Sequence, residues 1–136
     1  MNRYEKAFFK AEDDAYCIYQ LKLTDETAKL LFMSSDYLRK HGMEPAYEDY
    51  DAVYSGVLPV SREEYGETLD KLFMKFNEDR PQDFTCRRLS VSDIITLKRG
   101  TLMSAHYVDS VGFTSVPNFM ARKLMEAAAE EGRTSD

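Results

Sequence analysis

The chain has 136 residues and a mass of 15.7 kDa, so we expect one domain that buries a hydrophobic core without help from metals or disulfides. Its net charge of −6 argues against direct nucleic-acid binding, which needs a basic surface, and would instead attract a basic partner. The N-terminus lacks the apolar core of a signal peptide, and no run approaches the roughly 18 apolar residues of a membrane span. We therefore expect a cytoplasmic protein that does not bind membranes.

The cysteines and glycines give no sign of a metal or phosphate site. Cys17 and Cys86 lie far apart, and neither belongs to a paired Cys or His motif with zinc-ligand spacing. The six glycines are scattered, so the sequence contains no glycine-rich phosphate loop. The sequence therefore predicts no metal and no cofactor.

The first half of the chain predicts two strands after a polar beginning. Residues 1–15 are charged, and we interpret them as a frayed or short helical lead-in to the domain. Apolar residues alternate from 16 to 23, which is typical of a half-buried strand. The residues expected on its buried face are Cys17, Tyr19, Leu21 and Leu23. A second strand is predicted over residues 51–55, where Tyr50, Ala52 and Tyr54 share one face.

Two helices are predicted around the second strand. Ser34 or Ser35 could cap a short helix over residues 36–40, which would end at Gly42. Residues 61–64 have the pattern of a capping box, in which Ser61 and Glu64 each satisfy a backbone amide at the start of a longer helix. The apolar stripe expected on that helix, which ends at Asn77, is Tyr65, Leu69, Leu72, Phe73 and Phe76.

The second half predicts most of the remaining sheet. The apolar run from Ile94 to Leu97 indicates a strand covered on both faces. A turn at Gly100 leads to a strand over residues 102–109, and a further short strand is expected to begin at 111–113. Pro117 suits the first turn of a last helix. The apolar stripe of that helix would be Phe119, Met120, Leu124 and Ala127 or Ala128.

Together these elements predict an α+β fold with a small mixed or antiparallel sheet of four to five strands and about three helices. The domain is expected to span residues 16–129, with a polar tail over 130–136.

One constellation of residues could support hydrolysis. Cys86 or Cys17 could act as a nucleophile, with His106 as base and Asp109 as the group that orients it. His106 and Asp109 lie three apart in the same predicted strand, so they would point to opposite faces unless the chain bends. Roles for His106 at a strand surface and for Asp109 at a turn are therefore favoured over catalysis. Asp93 could contact a ligand, but the favoured role is to satisfy backbone amides before a strand.

Four acidic clusters allow a different function. They are residues 12–14, residues 48–51, residues 63–67, and Glu126 with Glu130 and Glu131. If they formed one face, that face could mimic a nucleic-acid backbone and inhibit a defence nuclease. If they are scattered, they serve solubility alone.

Residues 30–56 and 76–119 are similar to the YodL-like domain family, and the resemblance covers roughly residues 16–120. The pieces that carry it are Phe76-Asn77, Arg80-Pro81, Asp83-Phe84, residues 89–93, residues 107–110 and Gly112-Phe113. Cys86 stands where relatives would have a small residue, often glycine, which weakens a catalytic role. The resemblance implies an accessory domain of mobile or conjugative elements, and it carries over no activity and no catalytic residue.

The favoured interpretation is a non-catalytic module that binds another protein, and the sequence does not indicate its oligomeric state. The binding surface is expected where three loops converge, around residues 77–84, 90–93 and 107–113. The candidate partner-binding residues are Asn77, Arg80, Phe84, Ser90, Ser92, Asp93, His106, Tyr107, Asp109 and Phe113. The alternatives are the acidic inhibitor and, less favoured, the Cys/His hydrolase.

Overall fold

The computed structural model describes residues 1–121, 123 and 125. The strands are β1 (Ala15–Leu21), β2 (Tyr50–Val57), β3 (Ile94–Arg99), β4 (Leu102–Val108) and β5 (Phe113–Ser115). The α-helices with defined bounds are α1 (Arg3–Lys10), α2 (Ser35–Lys40) and α3 (Tyr65–Glu78), and short 3₁₀ helices lie at Ala28–Leu30 and Tyr47–Asp49. The strands form one antiparallel sheet in the order β2-β1-β3-β4-β5. The predicted α+β class is confirmed.

The sheet is covered on both faces, each by its own hydrophobic core. The face covered by α1 buries Phe8, Cys17, Tyr19, Tyr50, Ile94, Tyr107 and Phe119. The face covered by α3 buries Tyr16, Ile18, Leu69, Phe76, Phe84, Ile95 and Leu97. Residues next to each other along a strand therefore belong to different cores.

β1 is an interior strand, between β2 and β3, and is buried along its whole length. The prediction of a half-buried strand is therefore wrong, because even Gln20 is enclosed between the layers. Leu23, which was expected on the buried face, follows the strand and is exposed. Alternation of polar and apolar residues could not reveal that a layer covers the second face.

A β-bulge in β2 corrects the predicted arrangement of its tyrosines. Ile18 pairs with Tyr54 and Tyr19 pairs with Ala52, so Val53 is an extra residue with no partner across the pair. Because of this extra residue, the alternation of side chains between the two faces of the sheet is out of step before and after the bulge. Tyr50 and Ala52 consequently pack in the α1-side core, whereas Tyr54 packs against the α3-side core.

The long helix begins three residues later than the capping box predicts. Ser61 Oγ accepts from the Glu63 amide (3.1 Å), and Glu64 is the N-cap but makes no side-chain capping bond. Next to this start, the Arg99 guanidinium of the sheet donates to the Glu63 carbonyl oxygen (2.6 Å), a contact that the local sequence does not reveal. The predicted apolar stripe is confirmed at its centre, where Leu69, Leu72 and Phe76 are buried.

The two termini differ in part from expectation. The N-terminal segment forms the short helix that was one of the two expectations, but it packs into the domain: Phe8 of α1 is buried in the core and Glu5 accepts from the Tyr19 hydroxyl (2.7 Å). At the other end, residues 117–120 form a turn, and helical residues begin only at Ala121. Phe119 and Met120 are buried as predicted. Leu124, Ala127, Ala128 and the tail over 130–136 lie outside the described residues.

Candidate functional site

Two of the three predicted loops meet at one end of the sheet. The Ser92 amide donates to the Val108 carbonyl oxygen (3.0 Å), and the Val108 amide donates to the Asp93 carbonyl oxygen (2.8 Å). These bonds join residues 90–93, before β3, to residues 107–113, which comprise the end of β4, the turn and the start of β5. The antiparallel pairing of β3 with β4 requires this meeting, because the start of one strand lies beside the end of the other.

Asp93 is fully buried at that junction. Its Oδ2 accepts from the Ser90 amide (2.9 Å) and from Gln20 Nε2 (3.2 Å). Burial raises the pKa of Asp93 to about 7, and those two bonds together with the charge of Arg87 offset only part of the effect. Asp93 thus closes the turn before β3, as an aspartate at a strand entrance is expected to do.

Ser92 is equally inaccessible and has a backbone φ of +89°, in the left-handed region. Its carbonyl oxygen accepts from the Tyr50 hydroxyl (2.7 Å), which ties the turn to β2. The side chains of Ser92 and Asp93 therefore shape the junction from inside. A binding partner would meet the surface around them.

A clasp of hydrogen bonds holds residues 33–35 against the β4–β5 turn. The Tyr107 hydroxyl donates to the Met33 carbonyl oxygen (2.5 Å). Asp109 accepts from the Ser35 amide (3.1 Å), from the Ser35 hydroxyl, and from the Thr114 hydroxyl (2.6 Å). Although partial burial opposes ionisation, the bonds from Ser35 and Thr114 lower the pKa of Asp109, so its carboxylate is charged at neutral pH.

Beside this clasp, Phe32 presents its ring to solvent. It is 62% exposed and has a φ of +68°, a conformation that is strained for a residue with a side chain. Its neighbours Leu31 and Met33 pack against the α1-side core, so the turn at Phe32 allows both of them to point inward. Val111, at the tip of the β4–β5 turn, is 91% exposed. The short apolar run around Phe32 was visible in the sequence, but it contained no signal for the positive φ.

A groove runs between α3 and the β4–β5 pair. One cavity of about 390 Å³ is lined by Gly66, Leu69 and Asp70 of α3 and by His106, Phe113 and Ser115 of the strands. A second cavity of about 220 Å³ shares Asp70 and Phe113 and extends to Asp109. We call the two together the α3–β5 groove. Its walls are mixed: the partly exposed Tyr65 and Phe113 supply apolar surface, and the exposed Asp70 supplies a carboxylate.

His106 forms part of the floor of this groove, and only 8% of its surface is exposed. Its Nε2 lies 2.7 Å from Ser104 Oγ, and its ring contacts that of Tyr65. Burial, helped by the charge of Arg99, lowers the pKa of His106 to about 4, so the ring is neutral at pH 7.

The third predicted loop lies elsewhere. Phe84 packs against Tyr54 of β2 and Phe76 of α3, and the Tyr54 hydroxyl donates to Asp83 (2.9 Å). β2 is separated from β4 by two strands, so residues 77–84 do not join the groove at β5. Three of the ten predicted residues line the groove, namely His106, Asp109 and Phe113. Phe84, Ser92, Asp93 and Tyr107 are buried, Asn77 and Ser90 are partly exposed, and Arg80 is exposed.

The geometry does not assemble the predicted Cys/His constellation. Cys17 lies in the α1-side core, whereas His106 lies on the α3 side of the sheet. Burial also raises the pKa of the Cys17 thiol above its usual range. Cys86 packs against the α3-side core, and no hydrogen bond joins it to His106 in the described part of the chain.

The acidic clusters lie at two opposite ends of the sheet. Asp14 accepts from the Gly100 amide (2.9 Å) and Glu63 from Arg99, which places two clusters beside the β3–β4 turn. Asp49 accepts from the Lys22 amide (2.8 Å) at the far end of β1. The three described clusters therefore form no single acidic face. Glu126, Glu130 and Glu131 lie outside the described residues.

No group of three or more His, Cys, Asp or Glu side chains within the described residues could hold a metal ion. Among the same residues, no helix combines the length and apolar character needed to cross a lipid bilayer.

The fold and surface define a small α+β domain built on one antiparallel sheet, with an open groove beside its short edge strand. A family model, the YodL-like domain, matches residues 15–119. The chain therefore belongs to the YodL-like domain family, as the resemblance of its central motifs indicated. No curated protein and no solved structure gives a significant match.

Proposed function

We propose that this chain is a non-catalytic, cytoplasmic module that binds another protein, in the setting of mobile genetic elements that the family resemblance implies. The proposed contact surface is formed by Phe32, by Val111 at the tip of the β4–β5 turn, and by the adjoining α3–β5 groove. We call these three parts the turn surface.

The conformation of Phe32 carries the proposal. The fold needs a left-handed residue between Leu31 and Met33, and glycine would adopt that conformation without strain. An aromatic residue in this conformation costs roughly 1–2 kcal/mol. Because most of the ring faces solvent, packing does not compensate for this cost. Strained residues of this kind cluster at binding sites, and buried aromatic anchors dominate the energetics of many protein interfaces.

The hydrogen-bond clasp supports the same proposal. Ser35, Tyr107 and Asp109 fix the backbone on either side of Phe32 and Val111. A surface held in place before binding loses less conformational entropy when a partner arrives. The arrangement therefore suits a preformed contact site.

The test replaces Phe32 with glycine. Phe32→Gly removes both the strain and the ring, so we expect the folding free energy to improve by roughly 1 kcal/mol while partner capture is lost. Tagged wild-type and variant protein would be incubated with lysate of the source cells, and captured proteins would be quantified by mass spectrometry.

Val60→Ser is the matched control for that experiment. Val60 is an apolar residue that is even more exposed than Phe32, and it follows β2 near the other end of the sheet. The control should capture the same partner as wild type. Equal capture by Phe32→Gly and wild type would show that the turn surface is not the contact site.

A further inference from the structure

We infer that the groove side of β5 accepts a basic, extended segment of a partner protein, which adds to the sheet as a sixth strand. This inference deepens the proposed function by naming the chemistry of the partner, and it rests on that function.

The first observation concerns backbone pairing. In the part of the chain that the structure describes, β5 pairs with β4 alone and stands last in the strand order. The Val116 amide donates to the Ala105 carbonyl oxygen (2.9 Å), so the ladder between the two segments continues one residue beyond Ser115. An edge strand presents unpaired amide and carbonyl groups, and an extended peptide can pair with them.

The second observation is the space beside that edge. The α3–β5 groove lies on the α3 side of β5, where alternate side chains of an added strand would point. The partly exposed rings of Tyr65 and Phe113 provide apolar surface for such side chains. A β-carbon added to Gly66 would meet nothing within 4 Å, so the groove is open at the first turn of α3.

The third observation is charge. Asp70 is exposed and borders both cavities. Asp109 borders the second, but its carboxylate already accepts from Ser35 and Thr114. Two cations lie near Asp70 or the groove and already have partners. Arg99 donates to the Glu63 carbonyl oxygen and to the Thr68 hydroxyl (2.5 Å), and Lys71 pairs with the Glu63 carboxylate (2.6 Å). Among the described residues Asp70 forms no ion pair, so lysine or arginine side chains on the added strand would be attracted to it. A second copy of this chain would carry the same net charge of −6, which disfavours its approach.

The test uses purified protein and synthetic peptides. One ten-residue peptide alternates valine with lysine, a second alternates valine with glutamate, and a third alternates proline with lysine. Only the first can both pair with β5 and match the charge of the groove, since proline lacks the amide hydrogen that strand pairing needs. We expect the valine–lysine peptide to bind at least about tenfold more tightly than either of the others, a difference of about 1.4 kcal/mol.

Two variants locate the binding. Gly66→Trp should fill the groove, and Asp70→Lys should reverse the charge at an exposed helical position. Each substitution should therefore lower the affinity for the valine–lysine peptide by about tenfold or more. Gly66→Ala is the matched control, because it leaves the groove open and should bind as wild type does. Thermal unfolding of all four proteins would verify that they are folded.

Other outcomes overturn the inference. If the valine–glutamate peptide bound as tightly as the valine–lysine peptide, the charge argument would be wrong. If the proline–lysine peptide did so, strand pairing would be wrong. Undiminished binding of the valine–lysine peptide to both Gly66→Trp and Asp70→Lys would show that it binds elsewhere. Dimerisation of the protein through β5 would replace the peptide with a second copy. If no peptide binds while lysate capture still depends on Phe32, strand addition is wrong and the interaction module stands. If no peptide binds and the Phe32→Gly variant captures proteins as wild type does, both strand addition and the proposed function are wrong.

Discussion

The two edge strands of the sheet differ in how well they are protected. β2 is eight residues long, but a bulge at Val53 interrupts it and α1 packs against it. The Asn2 side chain also donates to the Ala52 carbonyl oxygen of β2 (2.7 Å). β5 has three residues and no bulge, and it borders an open groove. Natural sheets blunt their edges with bulges and covering elements, so the contrast indicates that β2 serves stability and β5 is left accessible.

The aromatic side chains are also packed more closely near β2 than near β5. Near β2, Phe76 contacts Phe84, Tyr54 and Tyr16, with ring centroids 4.9, 5.4 and 5.7 Å away. Near β5, Phe73 has one ring neighbour among the described residues, Phe113, at 6.4 Å, and both rings are partly exposed. Most of the stabilisation from aromatic burial therefore lies on the β2 side.

Truncating one ring on each side gives the largest expected effect. Phe76→Ala removes a fully buried ring and should destabilise the protein by about 3–5 kcal/mol. Phe73→Ala removes a partly exposed ring and should cost less than half of that, because less apolar surface is returned to water. Urea unfolding of both variants would measure the difference. Similar losses at the two positions would mean that the β5 side is packed as well as the β2 side.

The pH dependence of stability distinguishes a buried acid from a buried base. Asp93 has a pKa raised from 3.8 to about 7, so its contribution is fully present below pH 3.8 and is lost as the pH rises to about 7. His106 has a pKa lowered from 6.5 to about 4, so its contribution is present above pH 6.5 and is lost as the pH falls to about 4. The two contributions oppose each other over nearly the same range.

Single substitutions should uncover each contribution. Asp93→Asn leaves His106, so stability should rise between pH 4 and 6.5 more steeply than in wild type, by at most about 1.4 kcal/mol per pH unit. His106→Gln leaves the contribution of Asp93, so the slope of stability against pH should change in the opposite direction. The ionisable groups around Asp93 are Arg87, Tyr50 and Tyr107. Denaturant unfolding at five pH values would measure both slopes. Parallel curves for the two variants would contradict the assigned shifts.

Two glycines give the smallest and most directly comparable effects. A β-carbon at Gly56 of β2 would lie 2.6 Å from the Tyr16 hydroxyl oxygen and 2.9 Å from ring carbons, so Gly56→Ala should destabilise by roughly 1–3 kcal/mol. Gly66 faces open space in a helix, so Gly66→Ala should stabilise by about 0.5–1 kcal/mol. Thermal unfolding would show changes of opposite sign. Equal responses would mean that the two sides of the sheet are packed alike.

Much of the fold follows from local sequence. The caps and glycine around α2 predicted its position, and Ser34 does accept from the Tyr37 amide (3.1 Å). The run beginning at Ile94, the turn at Gly100 and the strand after it were also predicted correctly. In each case the signal lies within a few residues of the feature it determines, because capping, turn geometry and alternating burial are local properties.

The errors arose where distant residues decided the outcome. The bulge at Val53 exists only in the pairing of β2 with β1. Just before α3, the Glu63 carbonyl oxygen is held by Arg99, which lies 36 residues further along the chain. Of the candidate site, the sequence indicated the residues 107–113 and the negative charge. It could not show that Ser92 and Asp93 are enclosed or that α3 leaves space beside β5.

The sequence by itself thus determined the α+β class, the family and the approximate position of most elements. The tertiary structure decided which of the indicated residues reach solvent, because burial depends on layers contributed by distant segments. It also revealed Phe32, since a strained turn becomes apparent only when the neighbouring Leu31 and Met33 are fixed against a core.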